Sequence, residues 1–273
     1  VLDDGRIVEH RSPPCLSPFA ADGSATGLDE PRDIAVSPDG VMVVADTGHH
    51  AVRFYSPDGA CIGRAGGEGS APAEFREPAG VDLGLDGTVA VADTWNGRIQ
   101  LLRADGSVAL LGDGLYGPRD VLLEEDGGVV VADTGNRRVL RYRPPDWRQE
   151  ELLQLDGPAV GLERVGDLLA VAVPVAGVVV LVDRDGREVR RLPVPGWEGA
   201  AQQEGYLRLA PSGLLATAPA KGEVWLLDPA GVREPRAVLR GLDGITGIAL
   251  AGDGDLVAVL TWQNRLVRLP RPR

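Results

Sequence analysis

Cysteine, lysine, histidine and the aromatics are all scarce in this chain, and each shortage closes a door. Two cysteines among 273 residues, Cys15 and Cys61, make neither a disulfide framework nor a C-x-x-C metal pair; both are expected as free thiols. Three histidines, His10, His49 and His50, are too few and too clustered for a three-histidine zinc site. Lys221 is the single lysine, so positive charge is almost wholly arginine. Acids outnumber bases, for a net charge of −12, which argues against a nucleic-acid partner that needs a basic surface. No apolar run approaches the roughly 18 residues of a membrane-spanning helix. No charged-then-apolar leader opens the chain, so a soluble protein is expected. The chain begins at Val1 rather than Met, which leaves its compartment and any neighbouring domains open.

What the chain does have is a repeated phrase. VADTGHHAV at 44–52, VADTWNGRI at 91–99 and VADTGNRRV at 131–139 carry Asp46, Asp93 and Asp133, spaced 47 and then 40 residues apart. Each is led in by a proline, a short apolar run, a DG or GG turn and a second apolar run: PRDIAVSPDGVMVVAD, PAGVDLGLDGTVAVAD and PRDVLLEEDGGVVVAD. Weaker copies start at Pro158, Gly205 and Ile245. Short Val/Leu/Ala runs punctuated by such turns read as hairpin strands, and apolar residues on both faces of a run mean a strand packed on both sides. Six units of this kind predict an all-β, six-bladed β-propeller of four-stranded blades. One domain over 1–273 is expected, with blades at 31–66, 78–112, 118–154, 157–192, 204–240 and 245–270. The last unit is one strand short, and LDDGRIVEH at the start of the chain reads as the missing piece. Residues 1–10 are therefore expected to close the sixth blade and hide its edge.

The pattern P-x-[GD]-[IV]-x-[VL] followed by D-G-x-[VL]-x-V-A-D-T-x-N-x-R-[IV] resembles the NHL repeat. The likeness is strict in the first three units, weaker in the sixth and weakest in the fourth and fifth. It implies a six-bladed propeller and leaves function wide. Members include RNA- or protein-binding modules, sensor domains and a zinc-dependent amidating lyase.

Because the phrase is copied around the ring, its Asp and Thr are expected to satisfy loop amides, with Arg98 and Arg138 clamping a carboxylate or neighbouring carbonyls. Propeller topology puts these loops on the face of the inter-blade linkers. That face gathers His49, His50, Trp95, Asn96, Arg98, Arg137, Arg138, Trp262 and Arg265, while the acids of the DG turns collect on the other. Trp and Arg are enriched at binding hot spots. The leading expectation is a non-catalytic recognition platform, monomeric as an isolated domain, that binds a protein or small ligand through those residues without a cofactor or metal.

The alternative is an enzyme, a metal-assisted lyase or a lactonase-type hydrolase, at the mouth of the central channel. There the first strand of each blade would bring together Asp33, Asp82, Asp120, Tyr206 and Arg208, with a calcium ion as the cofactor such a site would take. RNA binding is a third reading, set back by the acidic total. The linkers 11–30, 64–77 and 190–204 are where function is most readily grafted. The last of them, with Trp197, Gln202 and Gln203, is read as a lid or partner contact.

Overall fold

A computed structural model describes residues 27–112, 114–197 and 204–270, together with the backbone of the strands Leu2–Asp3, Arg6–Ile7 and Ser24–Ala25. Six four-stranded antiparallel sheets stand around a common axis. The innermost strands, in chain order, are Pro31–Val36, Pro78–Leu83, Asp120–Leu123, Gly161–Val165, Leu207–Ala210 and Ile245–Leu250. Those of blades one and two, two and three, and six and one lie side by side. The second strands, such as Val129–Asp133 and Leu168–Val173, are almost wholly buried. Each has neighbouring blades on both faces, which is why its residues do not alternate between apolar and polar. The apolar clusters span blade pairs: Val130, Val139, Leu162, Leu169 and Val171 join blades three and four.

Every connection from second to third strand is the same device. A three-residue 3-10 turn follows the second strand and ends on a residue with left-handed backbone: His50, Gly97, Arg137, Gly177, Gly222 and Asn264, with φ between 54° and 68°. The fourth and fifth blades keep this turn with Pro174 and Pro219 at its first position. That is how they lose the signature without losing the shape. In the other four blades a threonine stands there, and its hydroxyl donates to a carbonyl at the start of the next inner strand. Thr47 reaches Pro78 (2.6 Å), Thr94 reaches Pro118 (2.9 Å), Thr134 reaches Ala159 (2.6 Å), and Thr261 reaches back to Pro31 (2.6 Å). The last bond joins blade six to blade one.

The amino-terminal segment does supply the fourth strand of the last blade, so the edge is covered. The strand is Ser24–Ala25, paired with Val267 and Leu266, rather than any part of 1–10. Leu2–Asp3 and Arg6–Ile7 pair with each other instead, as a separate hairpin. Cys61, expected as a free thiol, is disulfide-bonded; Cys15 lies outside the described residues. Among the described residues no helix is long and apolar enough to cross a membrane.

Candidate functional site

The repeated aspartates are scaffold. Asp46, Asp93 and Asp133 are fully buried. Each accepts the main-chain N–H of the residue seventeen positions earlier, in the preceding linker: Asp29 (2.7 Å), Arg76 (2.7 Å) and Tyr116 (2.8 Å). Arg98 and Arg138 sit directly across the ladder from Asp93 and Asp133 and donate to them through Nε at 2.7 Å. Arg98 gives its remaining nitrogens to the carbonyls of Ser70, Ala71 and Glu74, and Arg138 reaches Glu151 and the Gly114 carbonyl. Asn96 bonds to Asp93 and the Gly69 carbonyl. His49 contacts Asp46, and the His50 ring accepts the Glu77 amide at 3.0 Å.

Among the residues read as a recognition face, then, Asn96, Arg98, Arg138 and His50 hold the linkers to the ring, and His49 pairs with the buried Asp46. Arg137 is exposed, and Arg265 lies across from Leu260, where the strict copies have Asp. Trp95 is 55 % exposed with its indole N–H on Glu77 (2.7 Å). Trp262 is 52 % exposed, packs over Gly244 and lines a cavity. The acids of the opposite face serve their own turns. Asp86, Asp105 and Asp126 each accept the amide two residues on, the usual chemistry of such turns.

The channel residues do come together, in two layers. At the upper level Asp33, Asp120 and Tyr206 alternate with Gly80, Gly161 and Gly247. A Cβ on Gly80 would lie 2.6 Å from the Asp120 Cα, and one on Gly247 would lie 2.5 Å from the Asp33 Cα. Three glycines thus let neighbouring inner strands close in while three large side chains fill the axis. The lower level holds Asp82, Glu163 and Arg208. These acids fasten the ring: each accepts an amide from the next inner strand, Asp33 from Val81 (3.0 Å), Asp82 from Leu123 (2.7 Å), Asp120 from Leu162 (2.7 Å) and Glu163 from Leu209 (3.1 Å). Arg208 closes the series by donating to the Ile248 carbonyl (3.2 Å), with its Nε 3.4 Å from Glu163.

Four carboxyls around one guanidinium, out of water, cannot all be comfortable as anions. Burial drives the Asp33 carboxyl up to about 7, against the pull of the Val81 amide and Arg208. It also pushes Asp82 and Glu163 up, and Asp120 well up, the last with help from the Asp33 charge. Burial, then the charges of Asp33 and Asp120, hold the Tyr206 phenol protonated. Burial alone would lower Arg208, but the surrounding carboxylates, Glu163 foremost, raise it.

Above this ring, on the linker face, a cavity of about 730 Å3 opens, lined among others by Arg32, Arg119, Thr134, Glu204, Trp262 and Asn264. Arg32 and Arg119, from blades one and three, both donate to the same carboxylate oxygen of Glu204, Arg119 at 2.7 Å. The Tyr206 hydroxyl lies 3.5 Å from the Arg119 carbonyl, between the cavity and the acids below. Sequence reasoning missed Glu163 and Glu204. Glu163 was hidden by one extra residue: its position is four after the proline at Pro31, Pro78 and Pro118, but five after Pro158. Glu204 sits in a linker, where no period marks it.

Asp82, Asp120 and Glu163 each give one oxygen to the next strand and the other to the amide of the following residue, at 2.8–2.9 Å. Among the described residues no three of His, Cys, Asp and Glu form a group that would hold a metal.

Residues 28–53 match the family model of the NHL repeat. The first blade carries an NHL repeat, and the propeller has six blades. No curated protein matches the sequence, whereas solved structures match along nearly the whole propeller. A streptogramin B lyase aligns with a TM-score of 0.68 at 13% identity, covering 92% of this chain and 95% of that one. Virginiamycin B lyase from Staphylococcus aureus aligns at 0.67 and 14%, covering 93% and 97%. A gluconolactonase from Xanthomonas campestris aligns at 0.69 and 18%, covering 93% and 91%. At these identities the likeness is one of fold. These matches nevertheless correct the expectation of a non-catalytic platform, because the chains whose fold this propeller resembles are named as a lyase and a gluconolactonase.

Proposed function

We propose that this protein is an enzyme that hydrolyses a small cyclic ester, such as a sugar lactone, in the cavity at the linker-face mouth of the channel. The observation that carries the reading is a ring of buried carboxyls beneath an open cavity of about 730 Å3, a size typical of small-ligand sites. The names of the structural neighbours support it, a gluconolactonase among them.

Asp33 is the proposed proton acceptor. It follows Arg32 on the inner strand, one step of about 3.3 Å below the cavity lining, and its pKa of about 7 matches the requirement for proton transfer at neutral pH. Water adds to the ester carbonyl as its proton passes to Asp33. The ring C–O bond then breaks, the proton returns to the departing ring oxygen, and the product is the open hydroxy acid. One water is consumed and no other reactant is needed.

The test is a panel of five- and six-membered lactones assayed with the wild-type protein and Asp33→Asn. The wild type is expected to open at least one of them, with kcat/KM rising with pH through about 7. The variant should lose a factor of about 100 or more. Because both oxygens of Asp82, Asp120 and Glu163 are hydrogen-bonded to main-chain amides, the rate is expected to be the same after chelator dialysis and with added calcium. No turnover across the panel, or a fully active Asp33→Asn, would overturn the proposal.

A further inference from the structure

Glu204 bridges two arginines that are far from it along the chain. It comes from the linker before blade five, while its two partners, Arg32 and Arg119, come from blades one and three and lie on separate sides of the cavity mouth. The three side chains are 22 %, 16 % and 30 % exposed, so the cluster is largely out of solvent. Both arginines aim at one oxygen, Oε1. Among the described residues Arg32 has one further ion pair, a 3.9 Å approach to the exposed Glu30. A guanidinium offers five donors and binds a carboxylate best through two parallel bonds. Two guanidiniums on a single oxygen leave most of that capacity unused, and two positive charges face one well-placed negative charge. The arrangement leaves guanidinium donors free to take a larger anion.

We infer that Arg32 and Arg119 form a subsite for the carboxylate of a small hydroxy acid, and that Glu204 fills it when the cavity is empty and must be displaced for the acid to bind. The inference rests on the cavity proposed above as the reaction site. It assigns that site's product class, since opening a lactone creates one carboxylate. Glu204 then competes with the product and favours its release.

The experiment is calorimetric titration of D-gluconate into the wild-type protein, Glu204→Gln and the double variant Glu204→Gln/Arg119→Ala, with uncharged sorbitol as control and a thermal melt of each protein to confirm folding. Removing the internal anion should tighten gluconate binding by about tenfold or more, and removing Arg119 as well should reverse the gain. Sorbitol should not compete. Equal affinity of wild type and Glu204→Gln, or a double variant that binds as tightly as the single one, would overturn the inference. Should Glu204→Gln fail to fold, the wild type alone decides: gluconate must bind and sorbitol must not. The two readings fail separately. Gluconate binding that depends on Glu204 without turnover of any lactone leaves the subsite and removes the reaction. Turnover with gluconate binding indifferent to Glu204 does the reverse.

Discussion

Asp33 is held where a carboxylate is costly. Burial is the largest influence on it, and the Val81 amide and Arg208 only partly offset the cost, so its pKa rises from 3.8 to about 7. In the unfolded chain the same group returns to the ordinary range of about 3.9. Between these values the folded protein holds a proton that the unfolded chain has released, so this group's contribution to stability is complete at low pH, falls as pH rises through that window and levels off above about 7. Denaturant melts at pH 4.5, 5.5 and 6.5 should show Asp33→Asn with a shallower fall than wild type, by up to about 1.4 kcal/mol per pH unit. An unchanged slope would show that Asp33 is ionised in the fold. Asp82, Asp120 and Glu163 are shifted the same way by burial, and they account for the slope that remains. At this scale the sequence was informative in proportion to its regularity. Asp33 and Asp120 could be placed on the axis because each stands two residues after a proline, and Asp82 because it stands four after one, two residues further along the same strand. Glu163 could not, because its unit carries one residue more. Glu204 could not, because convergence of a linker with two distant blades leaves no linear trace.

The inner strands owe their spacing to glycine. Gly80 faces the Asp120 main chain, where an added Cβ would lie 2.6 Å from Cα, and no side-chain rotation relieves a clash with backbone. Gly80→Ala is expected to cost about 2 kcal/mol or more, read as a lowered denaturant midpoint. It should also misplace Asp82, two residues along the same strand. An alanine variant as stable as wild type would show that the strands can move apart. The 3-10 turns make the complementary point. Their shape survives in the blades that begin the turn with Pro174 and Pro219, so the turn does not need the aspartate. The aspartate needs the turn, which brings it within 2.7–2.8 Å of the linker amides. The repeated phrase therefore announced the element correctly, and its acidic, amide and arginine side chains proved to be fastenings.

Closure is a property of the whole ring. The Thr261 hydroxyl on the Pro31 carbonyl and the Ser24–Ala25 strand on Arg265–Leu269 join the first and last blades. A truncation that removes residues 1–10 leaves both contacts and should melt within about 2 °C of the full chain. One that removes residues 1–26 strips the closing strand and should melt several degrees earlier, roughly 2–4 °C per kcal/mol lost at this chain length. Both are compared under reducing conditions, so that the disulfide at Cys61 contributes to neither. Equal melting of the two truncations would mean that the short strand does not close the ring energetically.

The sequence by itself determined the repeat, the number of blades, the turns between strands and the need for an amino-terminal strand in the last blade. All of these are local or periodic, set by apolar runs of fixed length and turn residues at fixed offsets. Only the tertiary structure decided which segment closes the ring, which arginines are committed to scaffold, and that Arg32, Arg119 and Glu204 meet over a ring of buried acids. Those facts depend on residues 85 to 172 positions apart along the chain, brought together by curvature accumulated over several blades, and no short window of sequence contains that curvature.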